Sequence, residues 1–186
     1  MPISTGTRIN RNSRRTPTLA TASNGSLPAE PRENSNRWAV ILAGEDGTRL
    51  LPLTRRITGD DRPKQFCAFS QDGTLLDQTR RRVSGVVPER NSLIVLTQTH
   101  EPWYKDCVVG ISPDNLLIQP SNCGTALAIA YVLTHLNAVA SQAIVSFFPS
   151  DHHFSNAELF AHYVSQGHMQ TRRCGTRSFF WEFQLA

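Results

Sequence analysis

Three short stretches of this chain combine residue types that handle phosphate and divalent cations. Gly44-Glu45-Asp46-Gly47-Thr48-Arg49 pairs two glycines with an arginine. A glycine-containing loop leaving a strand brings backbone N–H groups close to phosphate oxygens, and a guanidinium adds a planar fork of donors. Pro63-Lys64 supplies a second cation. Lys64 and Lys105 are the only lysines among the 19 basic residues, so a lysine here stands out against the chain's own usage. An ammonium acts on phosphate as a point charge where a flat guanidinium fits less well. Phe148-Pro149-Ser150-Asp151 closes an apolar run with a carboxylate. Such a group is a hard-oxygen ligand for Mg²⁺, which takes one or two carboxylates plus phosphate oxygens. His152 and His153 follow, but neighbours on an extended chain point opposite ways and no third ligand accompanies them, so they read as non-ligands. No serine elbow and no Cys/His pairing argues for a covalent nucleophile.

Positioning these groups requires a scaffold, and the apolar pattern supplies one. Trp38-Ala39-Val40-Ile41-Leu42-Ala43 is long enough for a buried strand. Further strands are expected at Leu93 to Thr97, Leu116 to Gln119 and Ala143 to Phe148. Helices are expected over Thr74 to Val86, in a short piece from His100 to Val109, and over the markedly apolar Thr125 to Val139. In the first of these, Leu75, Leu76, Thr79 and Val83 share one face, and Arg80, Arg81 and Arg82 read as solvated. Cys67-Ala68-Phe69 reads as a short extended piece closed by the turn Gln71-Asp72-Gly73. Strands alternating with crossover helices predict an α/β fold, a Rossmann-like parallel sheet with helices on both faces. Ligands of such sheets gather at the carboxyl ends of the strands, where the glycine loop, the Gln119–Ala126 segment and the Phe148–Asp151 motif fall.

Composition limits the partners. Residues 1–37 carry six arginines against Glu30 and Glu33, whereas residues 38–186 hold 13 basic and 13 acidic side chains. The globular part is therefore neutral, and no nucleic-acid surface is expected, since one needs a dense basic face. No apolar run approaches the ~20 residues of a membrane span, so no membrane partner is expected. Cys67, Cys107, Cys123 and Cys174 show no CxxC or zinc spacing, which reads as reduced thiols in a cytoplasmic protein. Residues 1–36 are rich in Ser, Thr, Asn, Pro and Arg without an apolar period and read as a disordered tail. Their lack of acidic residues before Glu30 leaves a transit peptide as the alternative.

Leu42-Ala43-Gly44-x-Asp46-Gly47-Thr48-Arg49-Leu50 followed by Pro63-Lys64-Gln65-Phe66 resembles the signature of the sugar-1-phosphate nucleotidyltransferases. The PKQF ending resembles the mannose-1-phosphate guanylyltransferase branch more than the glucose-1-phosphate branches. The resemblance implies transfer of a nucleoside monophosphate, GMP from GTP, to mannose-1-phosphate with release of pyrophosphate and Mg²⁺ as cofactor. It implies that Leu42, Ala43, Gly44, Gly47, Thr48 and Arg49 wrap the triphosphate. Arg49 would neutralise charge on the leaving pyrophosphate, Lys64 would hold the α-phosphate or the sugar phosphate, and Asp151 would hold the metal. Gln119-Pro120-Ser121-Asn122-Cys123-Gly124-Thr125 resembles the segment that reads the base. There Gln119 offers both a carbonyl and an amide, and Gly124 and Thr125 open a helix beneath the nucleotide.

The sequence also departs from the family pattern. Glu45 stands where glycine is usual, Cys123 where an arginine is expected, and Leu127 where a proline is expected. A carboxylate facing a triphosphate repels it unless a cation intervenes, so Glu45 is expected to point to solvent. The resemblance covers about residues 38–154. A nucleotide-binding domain is therefore expected over 37–161, followed by an unassigned tail over 162–186, truncated or shifted in frame. The GYGYI-like segment, the Glu-Lys pair and the second metal-binding Asp of the family's sugar-binding half are not found in it. Three readings stay open: a guanylyltransferase-like enzyme, a catalytically impaired nucleotide-binding remnant or regulatory partner, and a nucleotidyltransferase for another sugar such as glucose-1-phosphate. Homo-oligomerisation is left open as well.

Overall fold

Among the described residues, four short runs rich in Val, Ile, Leu and Phe form strands: β1 (Arg37–Leu42), β2 (Ser92–Thr97), β3 (Leu116–Gln119) and β4 (Ile144–Pro149). All three ladders are parallel and the order is β3-β2-β1-β4, so β1 lies inside the sheet. A computed structural model of the chain describes residues 36–174. The expected tail over residues 1–35 and the Phe179-Phe180-Trp181-Glu182-Phe183 cluster lie outside the described residues.

Alternation along β1 divides the core. Ala39, Ile41 and Ala43 face one side, together with Ile94 and Leu96 of β2. They are covered by α2 (Leu75–Ser84), α3 (Glu101–Tyr104) and α5 (Ala157–Cys174), through Leu76, Val83, Tyr104 and Phe160. Val40, Leu93, Val95 and Leu117 face the other side, against Ala128, Val132 and Leu136 of α4 (Thr125–Val139). Parallel strands buried on both faces need such continuous apolar runs. Fully burying a side chain such as Ile41 or Leu76 contributes about 2 kcal/mol relative to leaving it exposed.

Three expectations change. The arginine run on α2 is solvated only in part: Arg81 is exposed, Arg80 and Arg82 are half-buried, and each of the three finds a backbone carbonyl. Arg80 donates to Cys107 O at 2.8 Å, Arg81 to Asp72 O, and Arg82 to His152 O at 2.6 Å. Helix α4 buries one stripe, while Leu127, Tyr131, Leu133 and Val139 stay exposed. Its apolar character thus exceeds what the sheet covers. The domain boundary expected at residue 161 falls inside α5, which packs Phe160 and His168 inward and caps its first turn with Asn156 Oδ1, accepting from Leu159 N at 2.9 Å. A further helix, α1 (Leu51–Thr58), follows the glycine loop, with Pro52 in its first turn and Gly59 in the left-handed region at its end.

Candidate active site

The three motifs meet at the carboxyl edge of the sheet. The Gly44–Arg49 loop leaves β1, the 120–124 loop leaves β3, and the 150–156 loop leaves β4. Between the first two, with Lys64, lies an open cavity of about 590 Å³. Glu45, Asp46, Gly47, Thr48, Arg49 and Lys64 line one wall, and Asn122, Gly124 and Thr125 line the other.

Loop geometry follows from its anchors. Ala43 N donates to Val95 O at 2.9 Å, continuing the strand by one residue. Gln65, buried in the 3-10 turn Lys64–Phe66, donates its amide to Ala43 O at 2.9 Å and Glu45 O at 2.7 Å. Thr97 Oγ1 donates to Gly44 O at 2.8 Å, and a Cβ on Gly44 would meet that hydroxyl oxygen at 2.8 Å. Gly47 has φ 61°, a left-handed conformation that favours glycine, and opens the turn carrying Thr48 and Arg49.

Charges are distributed unevenly around the cavity. Arg49 is exposed, and the nearby carboxylates Asp46 and Asp60 are engaged with other partners. Asp46 Oδ1 lies 2.9 Å from His100 Nε2, and Asp46 Oδ2 accepts from Asn122 Nδ2 at 3.0 Å. Asp60 is held by Arg62, whose guanidinium keeps that carboxyl well below the usual carboxylate range. Lys64 is not a solvated loop lysine: its Nζ sits 2.6 Å from Asp151 Oδ2, and both side chains are largely covered. Glu45 is exposed but does not turn away from the cavity as expected: it lines one wall, and its carboxylate accepts from Thr125 Oγ1 at 3.5 Å across the mouth. Cys123 is exposed, and Leu127 projects from the solvent side of α4.

Every site residue expected from sequence lies at this edge of the sheet. Gln119 ends β3 almost wholly buried, and its Oε1 comes 3.7 Å from where a Gly44 Cβ would stand. Gly124 has φ 86° and opens α4 with Thr125. Leu42 and Ala43 serve through the backbone: Leu42 O accepts from Ser150 N at 3.1 Å. His152 and His153 are exposed, and among the described residues no three His, Cys, Asp or Glu gather to hold a metal. Asp151 alone suits an ion that completes its shell with water and phosphate oxygens.

Sequence reasoning missed His100 and the structural work of Gln65. His100 is buried edge-on to Phe66 at 6.0 Å between centroids, and through Asp46 and Asn122 it ties the glycine loop and the 120–124 loop to the end of β2. A histidine just after a buried strand was its only signal. For Gln65 the signal was an uncharged polar residue between Lys64 and Phe66, where an apolar one would pack as well.

A nucleotidyl transferase family model matches residues 38–181. Mannose-1-phosphate guanylyltransferase 2 of Escherichia coli is 34% identical over 99 residues, 52% of this chain and 20% of that protein. Alginate biosynthesis protein AlgA of Pseudomonas aeruginosa is 30% identical over 125 residues, 65% of this chain and 24% of that protein. A crystal structure of a Thermus thermophilus protein named a mannose-1-phosphate geranyltransferase superposes with a TM-score of 0.58 and 28% identity, over 70% of this chain and 37% of that one. The chain thus spans about a quarter of the length of the curated relatives it matches.

Proposed function

This chain belongs to the nucleotidyl transferase family, and on that premise we propose that its cavity binds a nucleoside triphosphate for transfer to a sugar-1-phosphate. The preferred donor is GTP and the preferred acceptor mannose-1-phosphate, in line with the names of the relatives. In the reaction an acceptor phosphate oxygen bonds to the α-phosphorus, the bond between that phosphorus and the bridging oxygen to the β-phosphate breaks, and pyrophosphate leaves. Such transfers need positioning and charge neutralisation more than a covalent nucleophile.

The observation that carries this reading is the convergence of Arg49 and Lys64 on one glycine-lined cavity, with Asp151 paired to Lys64 beside it. Backbone N–H groups of the Gly44–Thr48 loop would take phosphate oxygens. Arg49, exposed at the rim, would meet the charge that builds on the leaving pyrophosphate. Lys64 would turn from Asp151 to the α-phosphate or the acceptor phosphate. Gln119 and Gly124, with Thr125, would hold the base side. Asp151 would hold Mg²⁺, which when bound supplies neutralisation of the phosphate oxygens.

A second reading is nucleotide binding without turnover, and one observation favours it. Lys64 and Asp151 satisfy each other at 2.6 Å, so binding must first part them. Pyrophosphate release from GTP and Mg²⁺, with and without mannose-1-phosphate, separates the two. Release that requires the sugar phosphate supports transfer; GTP binding without release supports the second reading. Competition by other bases and by glucose-1-phosphate tests the specificity.

A further inference from the structure

Arg82 is a cation with an unusual setting. It is partly withdrawn from water on the inner side of α2, where its Nε is buried without a partner. Burial lowers its pKa below the ordinary arginine value. Its Nη2 donates to Thr79 Oγ1 at 2.9 Å and to His152 O at 2.6 Å, and its guanidinium lies 5.2 Å from the centroid of the Phe154 ring. Thr79, itself buried, donates its one hydroxyl hydrogen bond to Ser150 O at 3.1 Å. Partly burying a guanidinium against carbonyls costs desolvation that a neutral or apolar contact would avoid.

The two carbonyls so gripped flank a single residue. Ser150 N is also fixed, donating to Leu42 O at 3.1 Å, so the turn is held from β1 on one side and from α2 on the other. Helix α2 is a firm base, with a reciprocal capping box between Thr74 and Asp77 and with Leu76 and Val83 buried. We infer that Thr79 and Arg82 are positioning residues for Asp151: by fixing the carbonyls of Ser150 and His152 they hold its carboxylate beside Lys64 and the cavity that Lys64 lines. This rests on the reading of Asp151 as the Mg²⁺ ligand. A misplacement of about 1 Å at such a group lowers catalytic and binding function far more than it lowers stability.

The test compares GTP affinity of the full chain in EDTA and in saturating Mg²⁺, with the melting temperature followed by circular dichroism. Wild type is expected to gain about tenfold in affinity with Mg²⁺, and Asp151→Asn to lose most of that gain, because the carboxylate repels bare triphosphate and attracts the cation. Thr79→Val, which keeps the side-chain shape, and Arg82→Gln are expected to cut the gain about threefold or more while changing affinity in EDTA less than about twofold. Thr79→Ser restores the hydroxyl and must restore the gain. A serine variant that stays impaired overturns the inference, even where the valine variant fails to fold. So does a lowered melting temperature with the wild-type gain intact, which would make the contacts structural only. Wild type that binds no GTP in either condition overturns the functional reading, and this inference with it.

Discussion

Lys64 Nζ lies 2.6 Å from Asp151 Oδ2, so the two groups proposed for phosphate and metal pair with each other. The pair is largely covered and so screened less than a surface pair, yet a triphosphate with Mg²⁺ offers each partner a replacement charge. Lys64→Ala is expected to abolish turnover while strengthening binding of Mg²⁺ alone about two- to five-fold, since the carboxylate loses its competing cation. Calorimetric titration with Mg²⁺ beside a pyrophosphate assay reads both, and weaker Mg²⁺ binding in the variant would refute the competition.

Gln65 offers a sharper stability test. Its replacement by leucine leaves Ala43 O and Glu45 O without the buried amide they share. An unpaired buried acceptor costs about 1–3 kcal/mol, and of the two only Ala43 O is fully buried, so Gln65→Leu should lose roughly 1–3 kcal/mol in urea denaturation and weaken GTP binding by loosening the loop. A stability within about 0.5 kcal/mol of wild type would show that water replaces the amide without loss.

The two loop glycines should respond differently to alanine. At Gly47 the added Cβ meets Lys64 side-chain carbons no closer than 3.6 Å, so the cost is that of its φ of 61°, about 1 kcal/mol. At Gly44 the Cβ would strike Thr97 Oγ1 at 2.8 Å and expel the hydroxyl that donates to Gly44 O. Gly44→Ala is therefore expected to be the more damaging of the two to both melting temperature and GTP affinity. The reverse ranking would mean that Thr97 rotates away freely.

His168 makes stability depend on pH. It is buried between α5 and β4, its Nε2 2.8 Å from Ser146 Oγ, and burial followed by the nearby Arg37 charge lowers its pKa from 6.5 to about 4. A base whose pKa falls on folding contributes fully above its unfolded value and loses that contribution as pH drops towards the folded one. Stability should thus decline between pH 6.5 and about 4, with about 2 kcal/mol traceable to this side chain between about pH 7 and about pH 4.5. His168→Gln retains a polar partner for Ser146 and should flatten that part of the profile; an unchanged slope would place the titration elsewhere.

The strands were legible because buried parallel strands leave unbroken apolar runs, and the three motifs were legible because each follows one of them. Pairings across distant segments were not. Nothing in residues 38–66 announces that Lys64 meets Asp151, and nothing in Arg80-Arg81-Arg82 announces three separate carbonyls, because a charged run on a helix looks the same whether its acceptors are water or backbone. Helix α5 escaped notice for a related reason. Phe160, Val164 and His168 recur every four residues, but the third is a histidine and the spacing between them is polar. Its asparagine cap, Asn156, was the overlooked start signal. For α4 the composition overstated burial, since sheet contact takes only one helical stripe.

The position of β4 in the sheet governs when the cavity edge can exist during synthesis. Its partner is β1, with Arg37 opposite Ile144 and Leu42 opposite Pro149, so the first of the described strands must wait for the last of them before that ladder closes. Pairings of such high sequence separation close slowly, and their entropy is spent before their contacts are gained. On a ribosome the glycine loop, Lys64 and α2 would be exposed before Asp151 emerges. The phosphate-side groups would thus precede the carboxylate, and the complete edge would be the last product of folding rather than its seed.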